Sequence, residues 1–236
     1  MQYPDDGELF KAKQKKSDHL IFFVHFYQGN KRVLMRHVAL VNELGYDAYA
    51  FNIKDDLDEH YFVPYSHVSD RFGMKHAIAD QIEEHLDLLP EYKSKIVFGF
   101  SNIAGCAIEA MARRTSLDVI ALICDSGPGS SFLYSGYKLF AQNWKLKSLP
   151  FLLTWSTGMH KDIPEDLKQL PEHFPVLSIR GWKDKLISPA HIDKIFEQCK
   201  NLNWRKLALP EAGHLNGLRD HPAEYRSGLE NFLESI

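Results

Sequence analysis

The residues able to do covalent chemistry converge on one stretch of the chain. Ser101 stands two residues after Gly99, within Ile96-Val97-Phe98-Gly99-Phe100-Ser101-Asn102-Ile103-Ala104-Gly105. The stretch opens apolar and β-branched, as a buried strand does. It continues through Cys106-Ala107-Ile108-Glu109-Ala110-Met111-Ala112-Arg113-Arg114 as a helix. A serine at such a corner has a strained backbone, which pushes its Oγ out of the fold. Small neighbours are needed because strand and helix pass close together. The Asn102 amide opens the helix and can donate to an anion beside Ser101. A serine hydroxyl is a weak nucleophile at neutral pH and needs a base. A histidine base in turn needs an acid that fixes its tautomer and stabilises its cation. Leu209-Pro210-Glu211-Ala212-Gly213-His214 offers the histidine. Arg180-Gly181-Trp182-Lys183-Asp184-Lys185-Leu186-Ile187-Ser188-Pro189 offers one acid, Asp184. Asp125 is the rival; it ends the run Val119-Ile120-Ala121-Leu122-Ile123-Cys124, and its other role is to cap the segment opening Ser126-Gly127-Pro128.

These residues must be positioned by regular elements. Leu20–Val24 reads as a buried strand, Lys31–Leu44 as a helix with Val33, Leu34, His37, Val38, Val41 and Leu44 on one stripe. Gly45 stops that helix. Asp47–Ile53 is a strand, Met74–Leu89 a helix ended by Pro90, and Val119–Cys124 a strand. Val176–Arg180 and Trp204–Leu209 are strands; Pro189–Lys200 and Pro222–Leu233 are helices, with Pro222 suited to the first helical position. Residues 8–13 read as a short edge strand. Alternating strands and helices predict a parallel sheet covered on both faces. Right-handed crossovers then gather the active loops at the C-terminal strand ends. Ser101, His25, Asp125, Asp184 and His214 all fall just after strands.

Residues 126–171 break the alternation. They are long for a plain crossover and hold Phe132, Tyr134, Tyr137, Phe140, Trp144, Phe151 and Trp155. The reading is a small cap inserted over the sheet edge, with Trp144 and Trp155 on an apolar substrate pocket. The alternative is a long crossover whose aromatics pack on the core. Lys54–Gly73 is a second irregular stretch.

The Ser101 corner resembles the nucleophile elbow of the α/β-hydrolase superfamily. The usual second glycine would fall at position 103, where this chain has Ile103; Ala104 and Gly105 restore small side chains just after it. His214, after the last strand, occupies the place of the superfamily's histidine. Asp184 lies in a Gly-x-x-Asp-x-aliphatic run like its acid loop, although some lipases of the superfamily carry the acid where Asp125 stands. The order Ser101, Asp184, His214 is that of these enzymes, and the resemblance spans Leu20 to Ile236. It implies a three-layer α/β/α fold around a doubly wound, mostly parallel sheet, in one domain spanning residues 1–236. It implies a serine hydrolase cleaving a carboxylic ester or thioester through an acyl-enzyme, with no cofactor and no metal. The oxyanion hole would use the Asn102 amide and one from the loop His25-Phe26-Tyr27, with Tyr27 first and Phe26 second. Phe26 stands where the superfamily often has glycine. His25 would hold that loop by hydrogen bonds. A lipase, a peptidase, or a C–C or cyanohydrin-cleaving lyase could use the same triad. Dehalogenases and epoxide hydrolases are disfavoured, because they usually carry Asp at the elbow. The rival from another class is a non-catalytic binding protein of the same fold, favoured only by Ile103 and Phe26.

Composition bounds the rest. The 236 residues are 44% hydrophobic, enough for a sizeable core in one α/β domain. A net charge of −3 with dispersed Lys and Arg argues against a nucleic-acid surface. No apolar run reaches the length of a membrane span, and no apolar signal segment follows the basic start. Cys106, Cys124 and Cys199 read as packed, reduced thiols of a cytoplasmic protein. His60, His67, His76 and His85 lack a metal-ligand spacing. The partner implied is a small-molecule substrate.

Overall fold

The computed structural model describes residues 4–54, 66–129 and 159–236. Among the described residues, seven strands form one sheet: β1 (Gly7–Phe10), β2 (Leu20–Val24), β3 (Asp47–Phe51), β4 (Lys95–Phe100), β5 (Val119–Asp125), β6 (Phe174–Gly181) and β7 (Leu202–Leu209). Their order across the sheet is β1-β3-β2-β4-β5-β6-β7. Of these described strands only β1 runs antiparallel, against β3; each remaining pair is parallel. β4, which delivers Ser101, is therefore central, and the polar residues that follow parallel strands share one edge.

The helices are α1 (Met35–Glu43), α2 (Met74–Asp87), α3 (Ala104–Arg113), α4 (Met159–Lys168), α5 (Pro189–Phe196), α6 (Gly217–Asp220) and α7 (Pro222–Leu233). Alternation along the strands sorts the core into two layers. Leu20, Phe22 and Val24 of β2 pack with residues of α2, α3, α4 and α5. Ile21 and Phe23 pack with α1 and α7. Both faces are thus covered, which is why β2 to β5 read as nearly unbroken apolar runs.

Local chemistry explains most boundaries. Gly45 has φ of +94°, a left-handed conformation that costs glycine little. Its N–H donates to the Asn42 carbonyl, and the Tyr46 N–H donates to the Val41 carbonyl. Those two bonds make a Schellman stop for α1. The start of α1 differs from expectation. Lys31–Leu34 is a single 3₁₀ turn, capped by the Asn30 side chain accepting the Arg32 N–H, and the α-helix opens only at Met35. Val33 consequently leaves the buried stripe and is exposed.

Of the expected insertion 126–171, α4 is a crossover helix. Ile163 and Leu167 are fully buried in the core layer of α2 and α3. Asp166 reaches Lys75 Nζ at 2.9 Å, and Lys75 also lies 3.2 Å from Glu109, in a buried ionic link between α4, α2 and α3. The expected cap between 130 and 158, including Trp144 and Trp155, lies outside the described residues.

Candidate active site

Three loops bring the chemistry together. The first is the turn after β4. Ser101 has φ of +53°, the strained conformation expected of a serine pushed outward. The turn is tight: a Cβ on Gly99 would come 2.9 Å from the Ala104 Cα. Strand and helix therefore touch at Gly99 and Ala104, and the small residue needed is Ala104. Position 103 points elsewhere: Ile103 is fully buried in the core, so its side chain does not narrow the site. Ser101–Ile103 form a 3₁₀ turn, and α3 proper opens at Ala104. The Asn102 amide therefore belongs to this turn, whose leading N–H groups have no partner within it.

The second loop follows β7 and carries His214, whose Nε2 lies 3.0 Å from Ser101 Oγ. The third follows β6 and carries Asp184, whose Oδ2 lies 2.7 Å from His214 Nδ1. The other Asp184 oxygen accepts the N–H groups of Leu186 and Ile187 at 2.8 and 2.9 Å. Both carboxylate oxygens are thus occupied. The two loops are also stitched together. The Lys183 N–H donates to the Ala212 carbonyl, and a Cβ on Gly181 would fall 2.2 Å from that same oxygen. A base bonded to a hydroxyl on one side and a buried carboxylate on the other can accept the hydroxyl proton and be stabilised as a cation.

Asp125 does not share in this contact. It is the buried last residue of β5. It accepts the Tyr225 hydroxyl at 2.7 Å on one oxygen and the Ser126 hydroxyl at 2.8 Å on the other. Burial pushes its pKa up, against those two hydrogen bonds and the nearby His214.

The loop after β2 lies beside the elbow, since Val24 pairs with Gly99. His25 is buried within it and accepts the Ile53 N–H on Nε2 at 2.9 Å. That bond places the ring proton on Nδ1, which donates to the Phe26 carbonyl at 2.7 Å. The Gly29 N–H closes on the same carbonyl, with Gln28 at φ of +57°. His25 thus holds the loop, and Phe26 and Tyr27 within it are partly buried.

Other reactive groups are engaged elsewhere. The Cys106 and Cys124 thiols are buried, and burial raises both well above the ordinary thiol range, which makes them poor nucleophiles. His76 bonds Glu109 at 2.6 Å and His85 bonds the Tyr49 hydroxyl at 2.8 Å. Among the described residues no His, Cys, Asp and Glu side chains group to hold a metal ion. No described helix is long and apolar enough to cross a membrane.

Sequence reasoning missed Ser126 and Tyr225. Ser126 Oγ accepts the Leu215 N–H at 3.0 Å, one residue beyond His214. The only signal was the turn-forming run Ser126-Gly127-Pro128-Gly129.

No protein-family model and no curated protein matches the sequence. Solved structures do resemble the fold. An esterase from Pyrococcus furiosus superposes with a TM-score of 0.69 at 20% identity, over 97% of this chain and 84% of that one. A highly thermostable carboxyl esterase from Bacillus coagulans gives 0.70 at 15% identity, over 98% and 93%. A meta-cleavage product hydrolase from Pseudomonas fluorescens gives 0.62 at 14% identity, over 97% and 93%. The chain has the α/β-hydrolase fold.

Proposed function

We propose that this protein is a serine hydrolase acting on a carboxylic ester or thioester. The observation that carries the reading is the unbroken line from Ser101 Oγ through His214 to Asp184, at 3.0 and 2.7 Å. Ser101 Oγ attacks the acyl carbonyl while His214 Nε2 takes its proton. Asp184 holds the ring proton on Nδ1 and stabilises the imidazolium. The Asn102 amide and one from the Phe26–Tyr27 loop, Tyr27 first, receive the oxyanion. The leaving group departs with the proton from His214, and water activated by the same base releases the acid. The esterases that share the fold favour ester chemistry. A lyase cleaving a carbon–carbon bond could use the same triad and is the second reading. A non-catalytic role draws little from Ile103, because that side chain lies in the core.

The test is hydrolysis of p-nitrophenyl esters of graded acyl length by wild type and Ser101→Ala. Turnover should fall on the order of 10⁴-fold or more in the variant, with its circular dichroism unchanged. Equal rates would reject the reading. The aromatic content of residues 126–171 points to an apolar acyl group, with Trp144 and Trp155 as the side chains that meet it.

A further inference from the structure

The residues after β5 join the two loops whose separation the reaction depends on. On one side Ser126 Oγ accepts the Leu215 N–H at 3.0 Å, next to His214. The Ser126 proton then points to Asp125 Oδ1 at 2.8 Å, and Asp125 Oδ2 takes the Tyr225 hydroxyl at 2.7 Å. Asp125, Ser126 and Tyr225 are all buried. On the other side the next residues lie against the elbow. A Cβ on Gly127 would fall 2.1 Å from the Ser101 carbonyl oxygen. The Gly129 N–H donates to Asn102 Oδ1 at 3.0 Å. Ser126 and Leu215 each hold φ of +57°, a conformation that persists in non-glycine residues only where the surroundings enforce it.

We propose that Ser126–Gly129 is a bracket that sets the distance between Ser101 Oγ and His214 Nε2, with Ser126 as its positioning residue and Asp125 and Tyr225 as its anchor. The inference rests on the hydrolase reading of the site. Ser126 acts through the Leu215 backbone. Without its hydroxyl the Leu215 N–H loses its acceptor, and the loop carrying His214 loosens. Misplacing a catalytic group by about 1 Å costs on the order of 100-fold.

The variants are Ser126→Ala and Ser126→Gly; glycine accepts the positive φ without strain. With p-nitrophenyl acetate, kcat should fall about 10- to 100-fold while KM stays within about twofold, because a positioning defect spares ground-state binding. Adding Ser126→Ala to His214→Ala should change the residual rate less than about twofold, since no base remains to position. Wild-type kcat in both folded variants would overturn the proposal. So would an equal loss in the His214→Ala background, or a change confined to KM. Should Ser126→Ala fail to fold, the glycine variant carries the test. Ser101→Ala separates the two claims. An active Ser101→Ala enzyme removes the hydrolase reading itself. An inactive one beside fully active Ser126 variants removes only the bracket.

Discussion

Asp184→Asn changes one atom and should cripple the enzyme, by an amount that follows from the hydrogen bonds around it. Asp184 Oδ1 accepts the Leu186 and Ile187 N–H groups, and Oδ2 faces His214 Nδ1 at 2.7 Å. An asparagine has one oxygen and one NH₂ to share among these three partners. Placing the NH₂ against the two main-chain donors would leave both unpaired, at a cost of about 1–3 kcal/mol each. The oxygen therefore stays with the loop and the NH₂ turns to His214. Nδ1 must then accept, the ring proton moves to Nε2, and the nitrogen facing Ser101 can no longer take a proton. The carboxylate charge beside the imidazolium is also lost. The combined loss should be on the order of 10³–10⁴-fold in kcat, equivalent to about 4–5.5 kcal/mol. The assay is kcat and KM on p-nitrophenyl acetate, with Asp125→Asn beside it. Asparagine at 125 still offers Ser126 an oxygen, so it should cost no more than about tenfold. An Asp184→Asn enzyme within tenfold of wild type, or a more severe Asp125→Asn, would refute this reasoning.

Three other outcomes follow. His37 sits among the rings of Phe98, Phe100 and Tyr225, and burial, with a smaller contribution from Arg36, holds its pKa down to about 4 from 6.5. Between those values the unfolded chain binds the proton more readily, so stability should fall as pH drops through that window, by up to about 3 kcal/mol. Urea midpoints at pH 7 and pH 4.5 should therefore diverge less in His37→Phe than in wild type, and parallel behaviour would contradict the assignment. Gly99→Ala should destabilise the fold by about 1–3 kcal/mol in urea unfolding, because its Cβ would meet main-chain atoms; an unchanged midpoint would mean the strand and helix are not so close. Trp144→Ala and Trp155→Ala should each penalise long acyl esters more than acetate, about fourfold per methylene that loses burial, and parallel plots of kcat/KM against acyl length would place the pocket elsewhere.

The central strand and its turn were legible because their signals are local. An apolar run, Gly99, Ser101 and a helix follow one another within twenty residues, and the close approach that demands a small residue lies between Gly99 and Ala104. Asp184 and His214 were picked out by strand order together with the likeness of their loops to those of the α/β-hydrolases, since parallel strands deliver both to one edge. The choice between Asp184 and Asp125 could not. Both follow strands, and the difference is that Asp125 spends its oxygens on Ser126 and on Tyr225, which lies a hundred positions away. Tertiary distance of that kind has no sequence period. The helix expected from Lys31 failed at its first turn for the opposite reason, a local one: the Asn30 side chain captures the Arg32 N–H and tightens the turn, which exposes Val33. α4 shows where a length argument stops. Residues 126–171 exceed a simple crossover, yet Ile163 and Leu167 at their end are core residues.

The most direct test of the central claim is covalent labelling with a fluorophosphonate probe, read by mass spectrometry of the digested protein. A strained, base-activated Ser101 should carry the phosphonyl adduct, at a rate that His214→Ala sharply reduces and Ser101→Ala abolishes. A wild-type protein left unlabelled, or labelled equally after Ser101→Ala, would contradict the account.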